Sequence, residues 1–381
     1  MTALLRVLLV CSVAVFAPLM MRSTMAQDSL DVWIGTGGGP AKGIYHATFN
    51  TKTGKISATE LAAEIGRPGF LAMHPKGTHL YAVGSLDEPC VAAYKIEGKL
   101  KDAKLTFVNS VAIGDGGAAH IAIDPTGSMI LTAQYGGGST AAFSVNKDGS
   151  LKERTGLVEH EGGSGVAGAR QKASHAHWAG FSPDNRYGFV PDLGLDKVVI
   201  YKVDPKTAKI TPHGAGILPP GAGPRHMKFH TTGKWAYVLH ELDLAVTVYD
   251  YNADAGMMKA KQTILTVPKD ELDDLKAKSC SEIRVHPSGK FVYAANRGHD
   301  TITAFRVNQD SGELKVIERE HVRGATPRNF NLDPSGKWLI AAGQQSHNLA
   351  VFEVNQDTGE LIYNVSNVPS PAPICVLFQH E

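Results

Sequence analysis

A short turn followed by a hydrophobic strand recurs along this chain, and this repeat restricts the possible folds more than any other feature. The repeated turn residues lie at positions 75, 125, 183, 231, 287 and 334. Five of the six turn residues are prolines, and most copies carry a glycine two residues later. Proline presets one turn dihedral and glycine supplies a positive one, so each copy predicts a tight reversal between two strands.

Each repeat, with a period of about 50 residues, has room for four short strands. One alternating strand precedes the turn, as at 225–229, and another follows later, as at 304–307, before a hairpin at 308–314. A four-stranded unit of this period cannot bury both of its faces alone, and it is typical of a β-propeller blade. The repeat therefore predicts an all-β protein built from four-stranded antiparallel blades.

The two ends of the chain supply an incomplete repeat each. Residues 373–378 resemble a first strand without a following turn, whereas 32–36 and 43–49 resemble the next two strands without a first one. Pairing the N- and C-terminal strands would close a ring and remove its exposed edges. We therefore expect a seven-bladed β-propeller as one domain over 31–381. A solenoid of stacked repeats is less consistent, because it would need terminal caps.

The N-terminal residues have the features of a secretory signal peptide. Arg6 precedes an apolar run at 7–17, and small residues occupy the positions before a cleavage point after Ala26. The run is shorter than the roughly 20 residues that a membrane-spanning helix needs, although a retained anchor is the alternative. We expect a signal peptide at 1–26, export to the periplasm or the extracellular space, and no membrane association after cleavage.

Charge and cysteine content narrow the partners and the chemistry. The 38 basic and 37 acidic residues give a net charge of +1, which predicts no nucleic-acid partner. Cys90, Cys280 and Cys375 remain after loss of the leader, and three cysteines cannot all pair with one another. Three buried thiols are the expectation, with one disulfide and a spare thiol as the alternative.

A long glycine-rich connection at 162–177 ends in two histidines, His175 and His177, just before a predicted strand. Long connections in compact domains are often functional. Residues two apart in an extended segment point the same way, so the pair suits metal ligation or acid–base chemistry. No cluster of further histidines or cysteines supplies the remaining metal ligands. We therefore predict no metal, and a polar pair that only lines the channel remains the structural alternative.

Other polar residues lie at corresponding edges of the predicted blades. Arg225, Glu241 and Arg297 singly suggest rim salt bridges, but together with the two histidines they would converge on one end of the axial channel. Gln134 and Tyr135 end a strand before a run of glycines, which indicates either close approach of a ligand or a wide hairpin loop. The residues expected to contact substrate are Gln134, Tyr135, His226, Glu282, His299 and Arg328.

Six short motifs occur in order along the chain: Gly-Ile-Tyr at 43–45, Ser-His-Ala-His at 174–177, Phe-Ser-Pro-Asp at 181–184, Asp-Leu-Gly-Leu-Asp at 192–196, Gly-Pro-Arg-His at 223–226 and Asn-Arg-Gly-His-Asp at 296–300. Together they resemble the seven-bladed lactonase family, which includes propeller-type 6-phosphogluconolactonases and fungal 3-carboxy-cis,cis-muconate lactonizing enzymes. The resemblance covers essentially the whole mature chain. It implies a catalytic site in the central channel, formed by His175 or His177 with Glu241, Arg225 and Arg297.

The resemblance implies a 6-phosphogluconolactonase-like hydrolase that opens a sugar lactone by attack of water, without a metal or cofactor. Glu241 or a neutral imidazole would activate the water, and Arg225 and Arg297 would hold the oxyanion or a substrate carboxylate or phosphate. The alternatives are a lactone-forming cycloisomerase, a propeller that holds a metal through its hub histidines, and a secreted, non-catalytic binding platform. A binding platform predicts that these side chains are scattered over the rim.

Overall fold

The computed structural model describes residues 28–272 and 278–379 as seven antiparallel sheets arranged in a ring. The expected signal peptide, 1–26, lies outside the described residues. The first strands of neighbouring sheets contact one another around the central axis, so each sheet is a blade and the ring encloses a channel. The predicted seven-bladed β-propeller with four-stranded blades is confirmed.

The strands fall into four positions, counted outward from the channel. The first strands are Pro373–Phe378, Gly66–Met73, Ala118–Ile123, Gly180–Phe181, Pro224–Phe229, Ser279–Val285 and Pro327–Leu332. The second strands are Ser29–Thr36, His79–Ser85, Met129–Gln134, Tyr187–Asp192, Trp235–His240, Phe291–Arg297 and Trp338–Gly343. The third strands are Gly43–Asn50, Pro89–Glu97, Ser139–Val145, Lys197–Asp204, Ala245–Asn252, Thr301–Val307 and Asn348–Val354.

The outer strands and three short 3-10 helices complete the fold. The fourth strands are Lys104–Ala112, Leu151–Glu159, Lys209–Ile217, Met257–Leu265, Leu314–His321 and Leu361–Pro369, with the pair Lys55–Ile56 and Glu60–Glu64 in the first blade. The 3-10 helices are Leu100–Asp102, Gly168–Gln171 and Lys269–Glu271. No helix in the described part of the chain is long and apolar enough to cross a membrane.

The first blade closes the ring, because it combines strands from both ends of the chain. Ser29–Thr36 pairs antiparallel with Pro373–Phe378, with Val32 opposite Phe378 and Ile34 opposite Val376. This pairing covers two strand edges that would otherwise be open to pairing with other chains. The predicted closure by the N- and C-terminal strands is therefore confirmed.

The core lies between successive blades, where a recurring tyrosine contact joins neighbours. The hydroxyls of Tyr81, Tyr237 and Tyr293 are buried in second strands, and each donates a hydrogen bond to a hairpin glycine carbonyl of the next blade at 2.8, 3.1 and 2.9 Å. A buried hydroxyl needs such a partner to offset its lost hydration. Each tyrosine thus contributes apolar area and fixes the spacing of two blades. Cys90, Cys280 and Cys375 are buried free thiols, as expected.

Candidate active site

The first strands carry β-bulges at the end of the channel away from the recurring turns, and these bulges aim cationic side chains inward. Pro224 and His226 face His240 and Leu239, so Arg225 between them has no partner in the ladder. Arg328, which lies between Pro327 and Asn329, likewise has no partner in the ladder. A bulge reorients the extra side chain. As a result, the two adjacent residues Arg225 and His226 both reach the channel.

These side chains line a cavity of about 420 Å³, which we call the site cavity. The arginine and aromatic-ring side chains in its lining are Arg67, Phe70, His177, Arg225, His226 and Arg328. Glycines and alanines of the second and third blades form much of the remaining wall, which leaves space above the axis. A cavity of this size suits a small polar molecule.

Glu241 is the common acceptor of three arginine side chains, of which Arg225 lines the site cavity. It follows directly after the strand that ends at His240, and its side chain is almost completely buried. Its Oε2 lies 2.9 Å from Nε of Arg225 and 3.1 Å from Nη2 of Arg297. Its Oε1 lies 2.6 Å from Nη2 of Arg170. The structure therefore brings together three residues that are far apart in the sequence, Arg225, Glu241 and Arg297.

The surroundings of Glu241 keep its carboxylate ionised. Burial alone would raise the pKa of Glu241, but Arg297, Arg225 and His177 outweigh it and hold the pKa far below its usual range. A carboxylate with this many donors is a poor proton acceptor near neutral pH. This geometry favours Glu241 as the counter-charge of the arginines, whereas the sequence had left it open as the base that activates water.

The two histidines of the long connection have different surroundings, although they were expected to point the same way. His177 is buried and lines the site cavity, with its Nε2 3.7 Å from Oε2 of Glu241. His175 is half-buried and stacks on the ring of Tyr135 at 4.6 Å, and its Nδ1 lies 2.8 Å from the Tyr135 carbonyl oxygen. Of the two, His177 has the position of a functional group.

His226 is held by a buried carboxylate behind it. Its Nδ1 lies 3.1 Å from Oε1 of Glu282, which has no exposed surface and also accepts hydrogen bonds from the Ile283 amide, at 3.0 Å, and from Asn329. Binding of Nδ1 by the carboxylate leaves Nε2 for the cavity that His226 lines. Burial and the charge of Arg225 lower the pKa of His226, so its imidazole is neutral at pH 7.

Arg170 belongs to the cluster but was not among the predicted site residues. The 3-10 helix Gly168–Gln171 within the long connection presents it to Glu241, and its Nη2 also lies 3.1 Å from the Tyr135 hydroxyl. Gln171 anchors this helix, because its amide donates to Asp196 Oδ1 at 2.7 Å. The unusual length of the connection was the sequence signal for a functional segment.

Three of the predicted residues, Gln134, Glu282 and His299, do not touch the Glu241 cluster. Gln134 is buried and donates to Thr132 at 2.6 Å, and Glu282 lies behind His226. His299 contacts Glu271 at 2.9 Å and Thr301 at 2.6 Å, because it lies past the end of its strand. Among residues 28–272 and 278–379, no group of three or more His, Cys, Asp or Glu side chains is placed to hold a metal ion.

Comparison with known proteins identifies the class to which this fold and site belong. Residues 31–378 match the family described as Lactonase, 7-bladed beta-propeller, so the chain belongs to that family and is a lactonase-type enzyme. A 6-phosphogluconolactonase of Bacillus subtilis is 38% identical over 344 residues, which cover 90% of this chain and 96% of that protein. A 6-phosphogluconolactonase of Formosa agariphila is 33% identical and covers 77% of this chain and 83% of that protein.

A solved structure with the same architecture is the Pseudomonas aeruginosa periplasmic gluconolactonase PpgL. Its TM-score is 0.85 at 27% identity, and the match covers 92% of this chain and 99% of that chain. The expected family is thus confirmed by both sequence and structure.

Proposed function

We propose that this enzyme hydrolyses a sugar lactone within the site cavity. The observation that carries the proposal is the convergence of a carboxylate-held imidazole, His226, with the guanidinium groups of Arg225 and Arg328 on one small cavity. A base with an orienting partner, beside cations that face the same space, is the arrangement that acyl transfer to water needs. A binding platform would favour polar side chains dispersed over the rim.

The proposed reaction uses His226 as the base. Its Nε2 takes a proton from a water molecule, and the water oxygen attacks the carbonyl carbon of the lactone ring. Arg225 stabilises the resulting oxyanion, an effect worth about 3–4 kcal/mol for such a donor in comparable sites. The bond between that carbon and the ring oxygen then breaks, and the imidazolium returns its proton to the departing alkoxide. The product is the open-chain hydroxy acid, and proton transfer itself contributes roughly 10²–10⁴-fold.

Glu241 would act on this reaction through its partners. Its Oε2 contacts both Arg225 and Arg297, so it holds two guanidinium groups that would otherwise repel each other. Burial, followed by the nearby charge of Arg297, lowers the pKa of Arg225, and Glu241 counteracts both effects. We therefore assign Glu241 as a positioning residue that keeps the cationic wall of the cavity assembled.

The charge balance of the site cavity favours an anionic lactone. Arg67 and Arg328 line the cavity, and burial and the charge of Arg297 lower the pKa of Arg328, while Glu241 opposes them only in part. Guanidinium groups bind phosphate with paired, charge-assisted hydrogen bonds. The relatives named 6-phosphogluconolactonase support a phosphorylated sugar lactone as the substrate.

We also propose that residues 1–26 are a cleaved signal peptide ahead of a propeller domain at 31–381, and that the mature enzyme is exported. The apolar run at 7–17 and the small residues before position 27 support this proposal, as does the likeness to a periplasmic gluconolactonase. N-terminal sequencing of protein from the periplasmic fraction tests it. A chain that begins at Gln27 is expected, and an intact N-terminus in the cytoplasm would refute export.

Turnover of 6-phosphogluconolactone and of unphosphorylated gluconolactone tests the substrate, each corrected for spontaneous hydrolysis. We expect the phosphorylated lactone to be preferred and Arg328→Met to raise its KM at least tenfold, because a charge-assisted contact is lost. Arg186→Met, which removes an exposed arginine that contacts Asp184 on another surface, is the matched control. Absence of turnover on both lactones by the folded wild-type enzyme would refute the proposal.

A further inference from the structure

The channel has a second cavity at its other end, among the recurring turns. This turn-side cavity, also about 420 Å³, is lined by the turn residues Thr231, Pro287 and Pro334 of three successive blades. The bulges that form the site cavity lie at the opposite ends of the same first strands. The two cavities therefore open toward opposite faces of the propeller.

Two adjacent cations line the turn-side cavity at equivalent positions, three residues before their turns. Lys228 precedes Thr231 and Arg284 precedes Pro287, so neighbouring first strands place them side by side. The ammonium group of Lys228 lies 5.0 Å from the centre of the Trp178 ring. Within the described residues, no carboxylate lies within 4 Å of Lys228, and no hydrogen-bond acceptor contacts it. An aromatic face offsets only part of the cost of enclosing an ammonium group.

Arg284 is only partly satisfied. Its Nη2 lies 3.4 Å from Oε2 of Glu282, whereas its buried Nε has no hydrogen-bond partner in the described structure. Glu282 is at the same time bound to His226 and Asn329, so its negative charge is shared between the two ends of the channel. One carboxylate shared in this way does not neutralise both cations.

The carboxylate of Asp333 is already bound by backbone amides of its own turn. Asp333 lines the wall, but its Oδ1 accepts the Trp338 amide at 2.7 Å and its Oδ2 accepts the Ser335 amide at 3.1 Å. Burial and the repulsion of Arg284 lower the pKa of Lys228 to about 7, and Glu282 opposes them only in part. At Lys228 the charge of Arg284 thus outweighs that of Glu282.

We propose that the turn-side cavity is an anion site, where Lys228 and Arg284 together bind a phosphate-sized oxyanion. Such an anion would give Lys228 a counter-charge and add a second anionic partner for Arg284, whose side chain is 19% exposed. The cavity volume accommodates free phosphate and also the phosphate group of a small ester. This site is separate from the site cavity, and the proposal does not depend on the identity of the lactone.

Labelling of Lys228 tests the site directly. An amine with a lowered pKa is reactive with acylating reagents near neutral pH, and a bound anion shields it and keeps it protonated. The rate of acylation at Lys228 is measured by peptide mass spectrometry at pH 7.5, with and without inorganic phosphate. A parallel titration with 6-phosphogluconate shows whether an ester-bound phosphate also enters.

We expect saturating phosphate to slow labelling of Lys228 at least fivefold in the wild type and in Arg328→Met, which alters only the site cavity. The protection should disappear in Arg284→Met. If that variant does not fold, calorimetry of Lys228→Met should show one phosphate fewer bound than in the wild type. No protection in the wild type, loss of protection in Arg328→Met, or unchanged stoichiometry in Lys228→Met would each overturn the proposal.

Discussion

Glu241 contacts Arg170, Arg225 and Arg297 through two carboxylate oxygens, and this makes it the residue on which the charge balance of the site depends. Two of these arginine side chains are largely buried. Removing one member of a buried ion cluster leaves the others without a counter-charge, which is more costly than losing one contact.

We expect Glu241→Gln to lower the free energy of unfolding by about 3–5 kcal/mol and to lower kcat/KM by roughly a hundredfold. Urea unfolding and initial rates measure the two effects. Glu161→Gln, which changes an exposed carboxylate just before the long connection, should leave both values unchanged. A Glu241→Gln variant with wild-type stability would show that the arginines need no counter-charge.

Arg170 is the residue through which a segment outside the blades reaches the site. The 3-10 helix Gly168–Gln171 is held to the fourth blade by Gln171 but has little contact with the core. We therefore expect Arg170 to contribute to substrate binding more than to the stability of the fold.

We expect Arg170→Gln to raise the KM for the lactone about tenfold, because the charge-assisted contact that helps to position Glu241 is lost. The midpoint of thermal unfolding should change little, since the Arg170 side chain is 46% exposed. Steady-state kinetics and calorimetry provide the two measurements. A large fall in stability without a change in KM would assign the connection a structural role instead.

At the scale of the single blade, the turns that define the repeat differ in how tightly they pack. Gly289 and Gly233 occupy equivalent turns with φ of +71° and +70°. A Cβ on Gly289 would lie 2.6 Å from Oγ1 of Thr231 and 2.8 Å from Nε2 of His230, whereas on Gly233 it would lie 3.5 Å from Pro183. The backbone strain of an alanine is the same at both positions, and only the steric clash differs.

Gly233→Ala should therefore cost about 1–2 kcal/mol from the left-handed backbone alone. Gly289→Ala should cost an additional 1–3 kcal/mol, roughly, because neighbouring atoms must move. Chemical denaturation of the two variants, side by side, gives the difference. Equal losses of stability would mean that the neighbouring blade yields without cost.

At the scale of the whole molecule, the first blade is shared by both ends of the chain, so we expect the ring to unfold as one cooperative unit. Deleting 373–381 removes the first strand of that blade and exposes the edges of Ser29–Thr36 and the neighbouring first strands. We expect the truncated chain to lose its single unfolding transition and to aggregate. A soluble truncated chain with the wild-type melting temperature would contradict the role of closure.

Much of this architecture was predictable from the sequence, since turn residues at 75, 125, 183, 231, 287 and 334 encode one structural unit repeatedly. The site was only partly predictable. The convergence of Arg225, Glu241 and Arg297 follows from equivalent positions in successive blades. By contrast, the partnership of His226 with Glu282 depends on a bulge that shifts the register, and bulges have no simple sequence pattern. The different roles of His175 and His177 likewise depend on which of them reaches the cavity.

The assignment of His226 as the base, held by Glu282, is the central claim of the proposed mechanism. Because burial lowers the pKa of His226 below its ordinary value of about 6.5, the neutral form dominates at neutral pH. As pH rises, kcat/KM should therefore increase through a limb below about pH 6.5 and then remain constant. His299→Gln, which alters a histidine that contacts Glu271 outside the cluster, is the matched control.

The most direct measurement is the pH dependence of kcat/KM for lactone hydrolysis by the wild type, His226→Gln, Glu282→Gln and the double variant, with circular dichroism to verify folding. We predict that His226→Gln loses roughly a hundredfold or more and loses the acid limb. The double variant should be little worse than His226→Gln, because the two residues act as one unit. A folded His226→Gln variant that keeps both the rate and the acid limb of the wild type would contradict the mechanism.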